Sequence, residues 1–265
     1  MEAVAVSHTY SASLSGKAGL LEETLTMLRL VSAGDDLDAV RAAIVEGDLL
    51  RKATYENRLS VWHKLHERYL VDWPRAVSLA TMVAASLDNN SARLLIYYEF
   101  CRSEAILYDA IVGPVYERFN AGFSGIEIGD LQTWLDSAEN RHPEIQRWSP
   151  QTRKKVLSNI LTVLRDFGLM TGTARKNFER VYLPLSVFGY VLYRLHTAPQ
   201  PPGPLGVVTS LDWRLFFQDE GDVVDLLDEA TTVGYCTFKR QGEVMALALR
   251  WPDTEAYVAA ITGKV

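Results

Sequence analysis

Between Gln151 and Arg180 nine side chains of the kinds that bind nucleic acid are the candidates: Gln151, Lys154, Lys155, Asn159, Thr162, Arg165, Arg175, Lys176 and Arg180. Lys and Arg neutralise backbone phosphates, while Gln, Asn and Thr form hydrogen bonds with base edges. With Arg153 they bring seven basic residues into the stretch from Ser149 to Leu185, against Asp166 and Glu179. The whole chain has a net charge of −6, so this is a basic island in an acidic protein. Such an island fits a surface for a polyanion. The plain alternative is a structural helix whose basic side is simply hydrated.

The elements that must position these residues are legible. Ser149-Pro150 is a helix start: a capping serine, then proline where its missing N–H costs nothing. Val156, Leu157, Ile160, Leu161, Val163, Leu164 and Phe167 then fall on one side of a helix. At about 100° per residue, Gln151, Lys155, Ser158 and Thr162 point the other way, flanked by Lys154, Asn159 and Arg165. Gly168 is placed to end the helix in a left-handed conformation. The segment TGTARKNFERVYLP follows, turn-initiated and basic. A capped amphipathic helix followed by a basic hairpin is the pattern of a winged helix-turn-helix. In that arrangement Gln151, Lys155, Asn159 and Thr162 face the groove, and Lys154, Arg165, Arg175, Lys176 and Arg180 meet phosphates. The helix opened by Ile128-Gly129-Asp130 would precede the recognition helix. The connection from Asn140 to Trp148 is longer than that of a minimal helix-turn-helix.

Other chemistry is absent. The sequence has no phosphate loop ending in Gly-Lys-Ser/Thr, no G-x-G-x-x-G after a strand, no G-x-S-x-G and no H-E-x-x-H, so no enzyme, catalytic residue or cofactor is predicted. His63 and His66 have the i, i+3 spacing of a metal pair, but Lys64 and Arg68 beside them disfavour a cation, and no metal is predicted. Tyr97 and Tyr98 have apolar neighbours and read as core rather than as a base-stacking platform. Cys101 and Cys236 lie far apart in apolar contexts, which fits a reduced cytoplasmic chain. The N-terminus lacks a signal peptide's basic region, and the apolar run from Val181 to Tyr193 is too short to span a bilayer, so no membrane is predicted.

Hydrophobic residues make up 48% of the chain, enough for a sizeable core. The predicted fold is mainly α. An N-terminal helical bundle occupies 1–125, a winged-helix-like unit 126–197, a linker 198–208 and a C-terminal α+β unit 209–265. In the bundle, helices are expected from Leu21 to Gly34, from Asp36 to Gly47, from Thr54 to Leu70 with Arg58, His63, Lys64, His66 and Arg68 outward, from Pro74, and from Ser91 to Ala110. Ala198 to Pro204 holds four prolines and reads as linker. The last unit is a helix capped by Asp219, a hairpin turning at Gln241-Gly242, and a helix from Thr254 to Ile261. Asp219, Glu220, Asp222, Asp225, Asp228 and Glu229 make the first of these helices acidic. That face suits a protein contact or plain hydration.

Several stretches resemble the BrxA family of the BREX (bacteriophage exclusion) systems. They are YSASLSG at Tyr10, GLLEETLTMLRL, DLLRKATYENRLSVWHKLHERYL, RKKVLSNILTVLRDFGLM and LDWRLFFQDEGDVVDLLDEATTVGYCTF. The resemblance implies a small, mostly helical, non-enzymatic component of a prokaryotic phage-defence system, in which a methyltransferase and an ATPase are separate proteins. It also implies an association with DNA, and a comparison with the RNA-binding antitermination factor NusB. The family offers no catalytic residues to carry over. The expected function is therefore a DNA-binding accessory component whose partners are double-stranded DNA and other BREX components. The alternatives are a protein–protein adaptor within the defence complex and an RNA-binding NusB-like protein.

Overall fold

The computed structural model of the chain describes residues 9–86, 88–172 and 176–263. In chain order the helices are α1 (Leu21–Ala33), α2 (Leu37–Val45), α3 (Tyr55–Leu65), α4 (Trp73–Ala85), α5 (Asn89–Ser103), α6 (Ala105–Ala110), α7 (Tyr116–Asn120), α8 (Ile128–Ala138), α9 (Pro150–Asp166), α10 (Leu185–His196), α11 (Pro204–Val208), α12 (Glu220–Thr232) and α13 (Thr254–Thr262). Two antiparallel hairpins interrupt them: β1 (Met170–Thr171) with β2 (Asn177–Phe178), and β3 (Cys236–Gln241) with β4 (Val244–Leu249). The fold is mainly α with a small C-terminal α+β unit, as the periodicity predicts. Packing gathers the chain into two compact units, each built from two sequence segments. One is Met1–Gly19 with Cys101–Arg180; the other is Leu20–Phe100 with Val181–Val265. Residues 126–180 thus fall in one unit and residues 181–197 in the other.

In the second unit the predicted stops and caps form. Gly34 ends α1 at a φ of 100°, a conformation open to glycine, and Asp36 caps α2 by accepting from the Ala39 N–H. The helix expected from Thr54 to Leu70 is α3 followed by a wider π turn, His66–Leu70. That turn alters the facing of its residues, so Arg68 is not on the outer face. It is 1% exposed, with its guanidinium 3.9 Å above the Phe100 ring. Tyr97 and Tyr98 are core: their hydroxyls donate to the Leu215 carbonyl at 3.0 Å and to Asp212 at 2.7 Å. Glu99, also buried, accepts from Arg194 and from the Tyr190 hydroxyl, both at 2.9 Å. Around α10 the packing is close enough that a Cβ at Gly189 would collide with the Tyr257 hydroxyl of α13. The C-terminal half of the expected linker is helical: Pro204 occupies the first turn of α11, where it suits a helix. Val207 and Val208 of that helix are buried, and the Val207 carbonyl accepts from the Trp213 indole at 2.7 Å.

The helix expected from Ser91 to Ala110 is broken at Glu104, in the first unit. Glu104 adopts an extended conformation between α5 and α6, and its carboxylate accepts from the Ser13 hydroxyl at 2.6 Å. The N-terminal segment makes a 3-10 turn, Ala12–Ser15, beside α9. Tyr10 anchors it: its hydroxyl donates to Asp109 at 2.6 Å, its backbone N–H donates to Glu144, and its ring stacks on His142 at 3.6 Å.

Candidate nucleic-acid interface

α9 is built as its sequence predicts. The Ser149 hydroxyl accepts from the Thr152 N–H at 3.1 Å, and Pro150 sits in the first turn. Val156, Leu157, Ile160, Leu161, Val163 and Leu164 are buried, with Phe167 behind them. The helix ends at Gly168, which takes a φ of 83°. Its buried side rests on α8 and its following strand β1. Arg153 joins the two helices: its guanidinium pairs with Glu139, which caps the C-terminal end of α8, and donates to the Ile145 carbonyl at 3.0 Å. One cation of the basic island is therefore structural.

The outward side of α9 divides lengthwise. On one flank the N-terminal segment lies along the helix. The Asn159 amide donates to the Leu14 carbonyl, and Gly19 packs so near Asp166 that a Cβ there would lie 3.2 Å from its carboxylate. Asn159, predicted to face a groove, is instead engaged in holding this segment. Thr162 is half-buried and turns its hydroxyl back to the Ser158 carbonyl at 3.0 Å. The other flank, with Lys154 and Arg165, is open: Lys154 is exposed, and Arg165 is partly exposed beside Asp166, to which it donates at 3.0 Å. Gln151 and Lys155 are exposed between the two flanks, Lys155 one turn before Asn159. Lys154 and Arg165 are eleven residues apart, three turns, which at 1.5 Å per residue is roughly 16 Å along the helix.

The β1–β2 hairpin continues this line. Met170 pairs with Phe178 and Thr171 with Asn177. The Phe178 N–H donates to the Ser124 carbonyl at 2.8 Å, so the segment before α8 runs beside β2. There the backbones touch: a Cβ at Gly125 would overlap the Lys176 carbonyl. Burial, and next the nearby Arg165 guanidinium, lower the pKa of Lys176, with Asp166 opposing them. Arg165 is thus near enough to act on the charge of Lys176, and an incoming anion would offset that repulsion. Arg180 is exposed, and Arg175 lies outside the described residues. The structure also adds Arg147, exposed in the turn Pro143–Arg147 just before the Ser149 cap. Its place two residues ahead of a helix N-terminus was the available signal.

Elsewhere, His63 is exposed and its neighbour Lys64 pairs with Glu67 at 2.9 Å. Among the described residues no group of three His, Cys, Asp or Glu side chains is arranged to hold a metal. Cys101 and Cys236 are both buried. No helix among the described residues is long and apolar enough to cross a membrane.

The arrangement is a set of exposed cations on a helix, extended by a hairpin. Comparison with known proteins gives the context. The BrxA family model matches residues 8–193, well over half of the chain. The chain belongs to the BrxA family. Membership implies a component of a BREX phage-defence system; BrxA is an accessory component there and not a known enzyme family. The match takes in the N-terminal segment, α9 and the β1–β2 hairpin together. No curated protein matches the chain. Among solved structures, the crystal structure of an uncharacterized protein from Magnetospirillum magneticum is similar in fold. Its TM-score is 0.58 at 20% sequence identity, covering 69% of this chain and 92% of that one.

Proposed function

We propose that the chain is a non-enzymatic, double-stranded DNA-binding accessory component of its BREX system. The observation that carries this reading is the line of Lys154, Lys155, Arg165 and Lys176 along α9 and the hairpin, with Gln151, Arg147 and Arg180 exposed around it. Lys154, Lys155, Lys176 and Arg180 meet phosphates, and Gln151, near the N-terminal end of α9, approaches a base edge. That end also carries the positive pole of the helix dipole, which favours an anion. Arg175, outside the described residues, is a further phosphate-contact candidate by its sequence position alone. Asn159 and Thr162 are left out, since their polar groups serve the protein's own backbone. In this reading α8, α9 and the hairpin act as a helix-turn-helix with a wing. Arg153 and Glu139 fix the angle between the two helices.

Binding of a labelled duplex, measured by fluorescence anisotropy over a range of salt concentrations, tests the proposal. The expected result is an affinity that falls steadily with salt, because phosphate contacts release counterions. Competition by an RNA hairpin that outmatches the duplex would replace DNA with RNA as the ligand.

The exposed acids of α12 favour a second reading, in which this helix docks another defence component. Asp225, Asp228 and Glu229 are exposed, while Val223, Leu227 and Ala230 face inward. Asp225→Lys with Asp228→Lys reverses the exposed charge without touching the buried stripe. Pull-down from a host carrying the whole defence locus should then recover less partner. Undiminished recovery at low salt would exclude this helix as the docking element.

A further inference from the structure

Beside the cationic line stands an exposed aromatic ring whose setting calls for explanation. Phe123 is 52% exposed. The Arg118 guanidinium lies 4.1 Å from its ring centroid and so covers one side of it. Arg118 is itself fixed, donating to the Gly125 carbonyl at 3.3 Å and to Asp130 at 3.1 Å. Asp130 is held in turn, because its other oxygen accepts from the Glu127 N–H at 2.9 Å in the capping box of α8. The cation behind the ring is therefore held in place by its own hydrogen bonds. The same segment is tied to the hairpin through Ser124 and Phe178, and Phe119 packs edge-on against the Phe178 ring at 5.7 Å. Gly125, two residues on, touches the Lys176 backbone, and Lys176 is within electrostatic reach of Arg165. The ring thus stands at the hairpin end of the cationic line.

A flat apolar ring, backed by a fixed cation and standing next to phosphate-binding side chains, is the arrangement that stacks a nucleobase. The backbone charge is met by the cations, and the π-face of the base by the ring. The base pairs of a closed duplex offer no such face except at an end or a disrupted step. The geometry points to Phe123 as a base-stacking residue, so that this surface prefers DNA with an unpaired or unstacked base to a fully paired duplex. The inference rests on the proposed DNA binding and names the kind of DNA. The ring is presented already in place, so little ordering cost is incurred when a base arrives.

The test uses the full chain with a short duplex and with the same duplex carrying one unpaired 2-aminopurine. The wild type should bind the second more tightly, by about 5- to 100-fold for one stacked base, and should change its fluorescence. Phe123→Ala should bind both forms alike, with no fluorescence change and with unaltered affinity for the paired duplex. Phe123→Tyr should restore the preference. Equal affinity of the wild type for the two forms, or a preference that survives in Phe123→Ala, overturns the inference while leaving DNA binding in place. Absence of salt-dependent binding to either form overturns the DNA reading, and this inference with it.

Discussion

The side-chain amide of Asn159 donates its hydrogen to the backbone carbonyl of Leu14, joining residues 145 positions apart. This hydrogen bond, with the Tyr10 anchor and the close approach of Gly19 to Asp166, holds the N-terminal segment along one flank of α9. It also separates two roles that look identical in sequence, since an outward Asn on an amphipathic helix serves a groove or a strap equally well.

Asn159→Ala is expected to destabilise the protein by about 1–3 kcal/mol, because the Leu14 carbonyl loses its partner at a part-buried position. Urea unfolding reads this directly. Affinity for duplex DNA should be unchanged in the folded variant. A loss of DNA affinity at wild-type stability would return Asn159 to the interface.

Arg153 is the cation of the island that should matter for folding rather than binding. Its guanidinium pairs with Glu139 and the Ile145 carbonyl, and its side chain is only 19% exposed. Arg153→Met keeps the aliphatic stem and should cost about 1–3 kcal/mol in stability by leaving both acceptors short of a donor. The salt dependence of DNA binding should stay as in the wild type. A salt slope reduced as much as in a lysine variant would mark Arg153 as a phosphate contact.

Asp88 links stability to pH. Its carboxylate accepts from the Ser91 N–H at 2.7 Å and the Ser91 hydroxyl at 2.8 Å, near the start of α5, and these bonds lower its pKa. Its contribution is present above the ordinary carboxylate value and fades as pH falls through the lower folded value. Asp88→Ala should cost about 0.5–2 kcal/mol at neutral pH, as loss of a helix cap does. The gap between variant and wild type should close in acid. Chemical unfolding at neutral and acid pH checks it, and a gap that widens on acidification would contradict the assignment.

What the sequence made legible was local. Ser149-Pro150, Asp36, Gly34 and Asp219 each act on the next few residues, and each forms the expected cap or stop. The apolar stripe of α9 is buried as its spacing requires. What stayed hidden depends on partners distant in the chain. Glu104 interrupts a run of apolar residues, and it accepts from Ser13, ninety-one positions away. Arg68 reads as an outer-face cation because a regular helix would place it there, and a single π turn buries it. In the interface, charge located the cations but could not sort them. Arg153 and Lys154 are adjacent and of like charge, yet one is clamped to α8 and the other is open to solvent.

The central claim is that the open flank of α9 and the hairpin hold DNA through phosphate contacts. The most direct measurement is the salt slope of duplex affinity for the variant carrying Lys154→Ala, Lys155→Ala and Lys176→Ala, with wild-type helicity confirmed by circular dichroism. The account predicts weaker binding to every duplex and a slope of log K against log salt that is shallower by roughly 0.9 for each contact removed. Affinity and slope equal to the wild type in a folded variant would contradict it, and would make the basic face of α9 a hydrated surface.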